Sequence, residues 1–194
     1  MLNRIPGAVA AVLIAIAPSA PAIAQNDDIL QYLVNNPSVD SWQVLGVARP
    51  SRPQRAEGVL GDRAVRITAR HSAQPWDVAA QMPVSGEVKQ GDTILLAVWA
   101  RLAVAPEGAQ SSRIPLRVQE NTPPYAALAE DAGSVGSAWG MIYASGVATK
   151  DHSAGSTSLS VHLAGADQIV ELGPALLLNF GQNYDAAKLP RNAQ

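Results

Sequence analysis

Apolar and polar positions alternate with a period of two along residues 91–103, GDTILLAVWARLA. Ile94, Leu96, Val98, Ala100 and Leu102 share one face of an extended strand, and Thr93, Leu95, Ala97, Trp99 and Arg101 share the other. The first face is apolar throughout and suits a core. The second ends in a ring and a cation and reads as a working surface. The density of β-branched and aromatic residues favours strand over helix. The same pattern recurs in 62–69, where Val65, Ile67 and Ala69 oppose Ala64, Arg66 and Thr68. In 113–120, Ile114, Leu116 and Val118 oppose Arg113, Arg117 and Gln119, and Pro115 marks an edge or a bulge. In 157–163, Leu159, Val161 and Leu163 oppose Ser158, Ser160 and His162. Shorter runs at 41–47, 74–82, 137–146, 167–172 and 175–180 complete about nine strands separated by turns. The last two are parted by a kink at Gly173-Pro174. Residues 48–61 read as a loop and 122–136 as a long excursion. Residues 26–35 predict one short helix, with Asn26 as cap, acids in its first turn and Asn36-Pro37 ending it. The prediction is an all-β protein: an antiparallel two-sheet β-sandwich, or jelly roll, with a short N-terminal helix.

The first 24 residues change the setting. Arg4, an apolar run over 7–17 and Ala22-Ile23-Ala24 form a secretory signal with its cleavage pattern. The apolar run is shorter than the roughly 20 residues of a membrane span, though an uncleaved anchor is the alternative reading. Expected boundaries are 1–24 for the signal, 25–40 for a cover segment and 41–194 for the sandwich. The product is expected to be secreted or periplasmic, monomeric and without a membrane span after cleavage. There is no cysteine, so packing, or a metal ion, must replace disulfides. The net charge of −2, with no basic–aromatic stripe, speaks against nucleic acid as a partner. Fifteen glycines and 14 prolines beside only 15% charged residues suit a turn-rich β protein.

Catalytic motifs are missing: no G-x-S-x-G, no H-E-x-x-H, no glycine-rich phosphate loop and no cysteine nucleophile. His71, His152 and His162 are too widely spaced to suggest a metal pair. A small glycosidase or lyase needs only two carboxylates, for which Glu120, Glu171 and Asp77 are candidates. The alternation offers a different constellation. Arg66 and Thr68, Trp99 and Arg101, Arg117 and Gln119, and Ser160 and His162 stand opposite apolar faces. Arginine and amide forks match sugar hydroxyls, and aromatic rings stack on the C–H faces of sugars. Against this, each is also an ordinary solvent-facing position, and Trp99 suits equally a ring packed under a loop. Trp42 and Trp139 read as core, and Arg49, Arg52 and Arg55 as a solvated loop.

The succession Pro75-Trp76-Asp77-Val78, Lys89-Gln90-Gly91-Asp92 and Trp99-Ala100-Arg101 resembles the carbohydrate-binding modules grouped with the cellulase C binding domain, families 4, 9 and 22. The likeness continues through Gln119-Glu120, Pro124-Tyr125, Trp139, Leu159–Leu163, Gln168–Gly173 and Leu177, Asn179, Phe180 and Gly181. The resemblance implies a jelly roll that binds a polysaccharide or oligosaccharide in a concave cleft and is not itself catalytic. It implies no cofactor beyond the structural calcium ion such modules often hold. Carried onto this chain, the ligand-binding residues are Arg66, Trp76, Trp99, Arg101, Gln119, Tyr125 and Glu171. Two departures stand out. Aromatics make up only 5% of the chain, and His152 follows Asp151 where relatives tend to carry an aromatic. No catalytic domain accompanies the module within these residues, so a free-standing binding protein or a diverged descendant is expected. A cell-envelope interaction module that has lost its sugar site is the remaining alternative.

Overall fold

The computed structural model describes residues 29–49 and 51–193, so the expected signal segment and Asn26–Asp28 lie outside the described residues. Among the described residues ten strands form two antiparallel five-stranded sheets. The first contains β1 (Gln43–Leu45), β4 (Ala79–Pro83), β9 (Thr157–His162), β6 (Ser112–Glu120) and β7 (Ala127–Val135), in that order across the sheet. The second contains β2 (Pro53–Arg55), β3 (Arg63–Ala69), β10 (Gln168–Gln182), β5 (Asp92–Val104) and β8 (Gly140–Val147).

The alternating residues pack as their period requires. Val65, Ile67, Ile94, Leu96, Val98, Ile114, Leu116, Val118, Leu159 and Val161 all face the shared core between the sheets. Trp42 joins them, and its indole Nε1 donates to the Gly173 carbonyl at 2.9 Å. That carbonyl lies in the bulge where the register of β10 against β5 slips between Leu172 and Ala175. The two expected strands at 167–172 and 175–180 are therefore one bent strand, since a bulge absorbs Pro174 without ending the ladder.

The structure corrects three other expectations. Within the 122–136 excursion lies β7, an edge strand paired with β6. The 48–61 loop contains β2, three residues on the edge of the second sheet. In the predicted N-terminal helix, Ile29 and Leu30 open a single turn. The chain is then extended from Leu33, which bridges Leu178, to Asn35, which bridges Val84. A helix this short is marginal by itself, and tertiary pairing wins. Buried Asn35 fixes that pairing: its Nδ2 donates to the Ala175 carbonyl at 3.0 Å and its Oδ1 accepts from the Leu177 amide at 2.8 Å.

These termini decide which sheet is open. Leu33, Phe180, Ala186 and Leu189 pack with Leu95, Leu178 and Tyr143 on the outer face of the second sheet. Farther along that face, Ala56 and Val59 close over Ala64, Trp99 and Trp139. The second sheet is thus covered on both sides, while among the described residues the outer face of the first holds an open cleft.

Candidate functional site

The cleft occupies the outer face of the first sheet and has a volume of about 580 Å³. Its floor follows from register. Gln81 of β4 stands opposite Ser160 of β9, which stands opposite Arg117 of β6, which stands opposite Glu130 of β7. A neighbouring row runs from Leu45 through Ala79 to His162. Small Ala79 and Ser160 keep the floor low. Trp76, in the 75–77 turn before β4, and Tyr125, in the 121–126 loop after β6, line the same cleft, 54% and 47% exposed. Tyr125 is held in a left-handed conformation, φ 56°, by a turn in which its amide donates to the Thr122 carbonyl at 2.8 Å. Trp76 meets His162 edge-on, with ring centroids 6.1 Å apart.

The polar groups of the cleft are amides, one guanidinium and one imidazole. Gln81 and Gln119 bring amide side chains to the cleft, and Asn121 is anchored through its Nδ2 to the Gly155 carbonyl at 3.0 Å. Arg117 lies between Glu130, at 3.2 Å from Nε, and the Tyr125 carbonyl, which accepts from Nη2 at 3.4 Å. Its buried Nε is close to the Glu130 carboxylate yet out of line for a hydrogen bond. The pair is therefore a Coulombic contact that leaves the guanidinium capacity for a further acceptor. Burial, then the neighbouring Arg117 charge, pushes the His162 imidazole down to about 4, so the ring is neutral at pH 7.

That depression has a stability consequence. Between about 6.5 and 4 the unfolded chain takes up a proton on His162 that the folded chain refuses, so stability falls as pH falls through this window. From pH 7 to 4.5 the loss through this group is expected to be about 2 kcal/mol. His162→Gln should remove it. Urea unfolding of both proteins at the two pH values reads it, and an identical pH loss in the variant would assign the effect elsewhere.

The seven residues expected at one site are divided between opposite faces. Trp76, Gln119 and Tyr125 line the cleft. Arg66, Trp99, Arg101 and Glu171 are on the outer face of the second sheet, with the core between them and the cleft. There Glu171 is only 1% exposed. Its Oε2 accepts from Arg101 Nε at 2.6 Å and its Oε1 from Arg66 Nε at 2.8 Å and Gln54 Nε2 at 3.3 Å. Burial pushes this carboxyl up, but hydrogen bonds and charge from Arg101 and Arg66 outweigh it and hold it below the usual range. Arg101 also lies 4.7 Å from the Trp139 ring centroid, a cation–π contact. Trp99 packs under the 56–62 loop. Glu171 is thus enclosed by two arginines, the half-exposed Arg66 and the more buried Arg101, and no surface of Glu171 is left for a ligand.

Among the cleft residues, Arg117 and His162 were already marked by alternation. Gln81 was not, because the Ala-rich run 79–82 carries too weak a contrast to show its faces. The carboxylates proposed for a glycosidase do not meet. Glu120 is held by Lys150 at 2.6 Å, Glu171 is buried on the far sheet and Asp77 accepts from the Ser72 hydroxyl. None of the three lines the cleft. Among the described residues no three His, Asp or Glu side chains converge as a cation-holding group would. Near the Gly91 turn, Asp92 accepts from the Lys89 amide and Asn179 Nδ2, and Asp151 from the Gln90 amide, a donor set that does not fit side-chain-held calcium. No helix among the described residues is long and apolar enough to cross a membrane.

Comparison with solved structures finds the same fold in carbohydrate-binding modules. A family 4 module superposes with a TM-score of 0.55 at 14% identity, over 72% of this chain and 94% of that one. The N-terminal cellulose-binding domain of Cellulomonas fimi β-1,4-glucanase C gives 0.54 at 17% identity, over 75% and 91%. The CBM22-1 xylan-binding domain of Paenibacillus barcinonensis Xyn10C gives 0.52 at 12% identity, over 77% and 92%. No family model matches the chain. No curated protein matches it either.

Proposed function

We propose that this chain is a secreted, non-catalytic carbohydrate-binding protein that holds a polysaccharide or oligosaccharide in the cleft of the first sheet. One observation carries the reading. On the sheet whose outer face is open, two half-exposed aromatic rings, Trp76 and Tyr125, flank a floor of amides and Arg117. Rings stack on sugar C–H faces while the amides and guanidinium take hydroxyl pairs. The fold shared with modules named for cellulose and xylan supports the same reading and makes those polymers the first ligands to test. A cell-envelope module that had lost its site would be expected to line this cleft with alanine and glycine, and Ala79 alone is of that kind.

Trp76→Ala and Tyr125→Ala should each weaken binding by about 10- to 100-fold, the loss typical of an aromatic anchor. Both rings are half exposed, so thermal midpoints should move little. Trp99→Ala should do the reverse, lowering stability by about 3 kcal/mol with binding retained. Affinity electrophoresis and thermal melts separate the two. Loss of binding in a folded Trp99→Ala protein, with Trp76→Ala unaffected, would place the ligand on the other sheet.

A further inference from the structure

A second groove, of about 770 Å³, runs between the β1–β2 connection and β3, and its polar lining is dominated by arginine. Arg49 and Arg52 come from the β1–β2 connection, Arg66 and Arg70 from β3 and its end, with Thr68 and Gln54 between them. No carboxylate lines it. Arg49 and Arg52 are exposed and have no ionic partner among the described residues. Arg70 is 4.0 Å from Asp167, with both side chains largely in solvent. Arg66 is bound to Glu171, which it shares with Arg101, so that trio retains one positive charge. Uncompensated cations gathered in one groove of a chain whose net charge is −2 are a concentrated exception to its overall balance.

The linings of groove and cleft draw on chain neighbours of the same segments. Leu45 lines the cleft and Gly46 the groove; Ala79 lines the cleft and Val78 the groove. Both depressions thus border β1, an edge strand, and the start of β4. The row from Arg117 through Ser160 and Gln81 ends at Gln43 on β1, the strand that Gly46 follows. Arginine forks match carboxylates with two parallel hydrogen bonds.

We propose that the arginine groove is a second subsite that selects acidic polysaccharides, binding uronate carboxylates carried by a sugar chain whose neutral part lies in the cleft. The inference rests on the cleft being the sugar site. The test compares soluble polymers that differ in charge: glucuronoxylan with arabinoxylan, and carboxymethylcellulose with hydroxyethylcellulose, by isothermal titration on the whole protein. In low salt the acidic member of a pair should bind about tenfold more tightly, and the advantage should vanish at about 0.5 M salt. Arg49→Gln combined with Arg52→Gln should abolish the advantage and leave neutral-polymer binding unchanged. Neither residue makes an ionic contact that the fold needs. Equal binding of both members of each pair by the natural protein overturns this subsite and leaves the cleft reading intact. Failure to bind any of the four overturns both. Dextran sulfate or duplex DNA binding as tightly as glucuronoxylan, and unaffected by Trp76→Ala, would make the groove a general polyanion surface and also overturn the proposal.

Discussion

Replacing Arg66 and Arg101 together by methionine is expected to destabilise the protein by about 3 kcal/mol at pH 7. The reason is the acid they leave behind. Glu171 is 1% exposed, and with both guanidinium groups removed it keeps only a 3.3 Å contact from Gln54. The arginine side chains are 51% and 30% exposed, so solvent already screens them, which sets the expectation at the lower end for broken buried pairs. The pH dependence gives the mechanism away. In the natural protein the Glu171 carboxyl is held low, so its contribution is present above about 4.5 and is lost as pH falls through the folded value. In the variant burial acts alone and raises the carboxyl. The folded state then gains protons first, and the deficit should shrink as pH falls from 7 towards 5. Adding Glu171→Leu should recover most of the loss, because an apolar side chain of similar volume leaves no charge to satisfy. Guanidinium unfolding of the natural protein, the double and the triple variant reads all three expectations. A double variant within about 1 kcal/mol of the natural protein, with an unchanged pH slope, would show that the cluster does not stabilise the fold.

The same cluster shows what the sequence could and could not reveal. Period-two alternation identified the inward residues of β3, β5, β6 and β9 because burial between two sheets selects apolar side chains at every second position. It says nothing about what lies against the second face. That face of β5 is covered by residues 33 and 180–189 and by the 56–62 loop, none of them local in sequence. A signal was nonetheless present. Leu95 and Ala97 are apolar on the supposed working side, and a strand apolar on both faces belongs in the middle of a covered sheet. Read that way, Trp99 and Arg101 become packing residues. The first sheet gave the opposite pattern, with Arg117, Gln119, Ser160 and His162 uninterrupted by large apolar side chains. The strand β7 escaped notice because its sequence, ALAEDAGSV, has one residue larger than valine on an apolar position and two adjacent acids, which suit an edge. Trp76 and Tyr125 sit on turns, outside any periodic pattern. Residue type, turn context and resemblance marked them, whereas alternation could not.

The second large effect is expected at Gly46, which ties β1 to the turn carrying Trp76. Gly46 has φ 73°, and a Cβ there would fall 1.6 Å from the Asp77 carbonyl oxygen and 2.7 Å from its carbon. The backbone of the 75–77 turn is therefore seated directly on a residue that has no side chain. Gly46→Ala meets two penalties: about 1 kcal/mol for a left-handed alanine, and about 1–3 kcal/mol for displacing packed backbone. Gly61→Ala separates them, since Gly61 has φ 77° and a Cβ there would meet no atom within 4 Å. It should lose about 1 kcal/mol and leave binding untouched. Gly46→Ala should lose about 3 kcal/mol, and in the folded fraction it should weaken polysaccharide binding more than tenfold because the Trp76 ring moves with the turn. Denaturant midpoints and titrations below the unfolding transition measure the two effects separately. If Gly46→Ala and Gly61→Ala lose the same stability and both bind normally, the contact between Gly46 and the Asp77 backbone does not position the tryptophan.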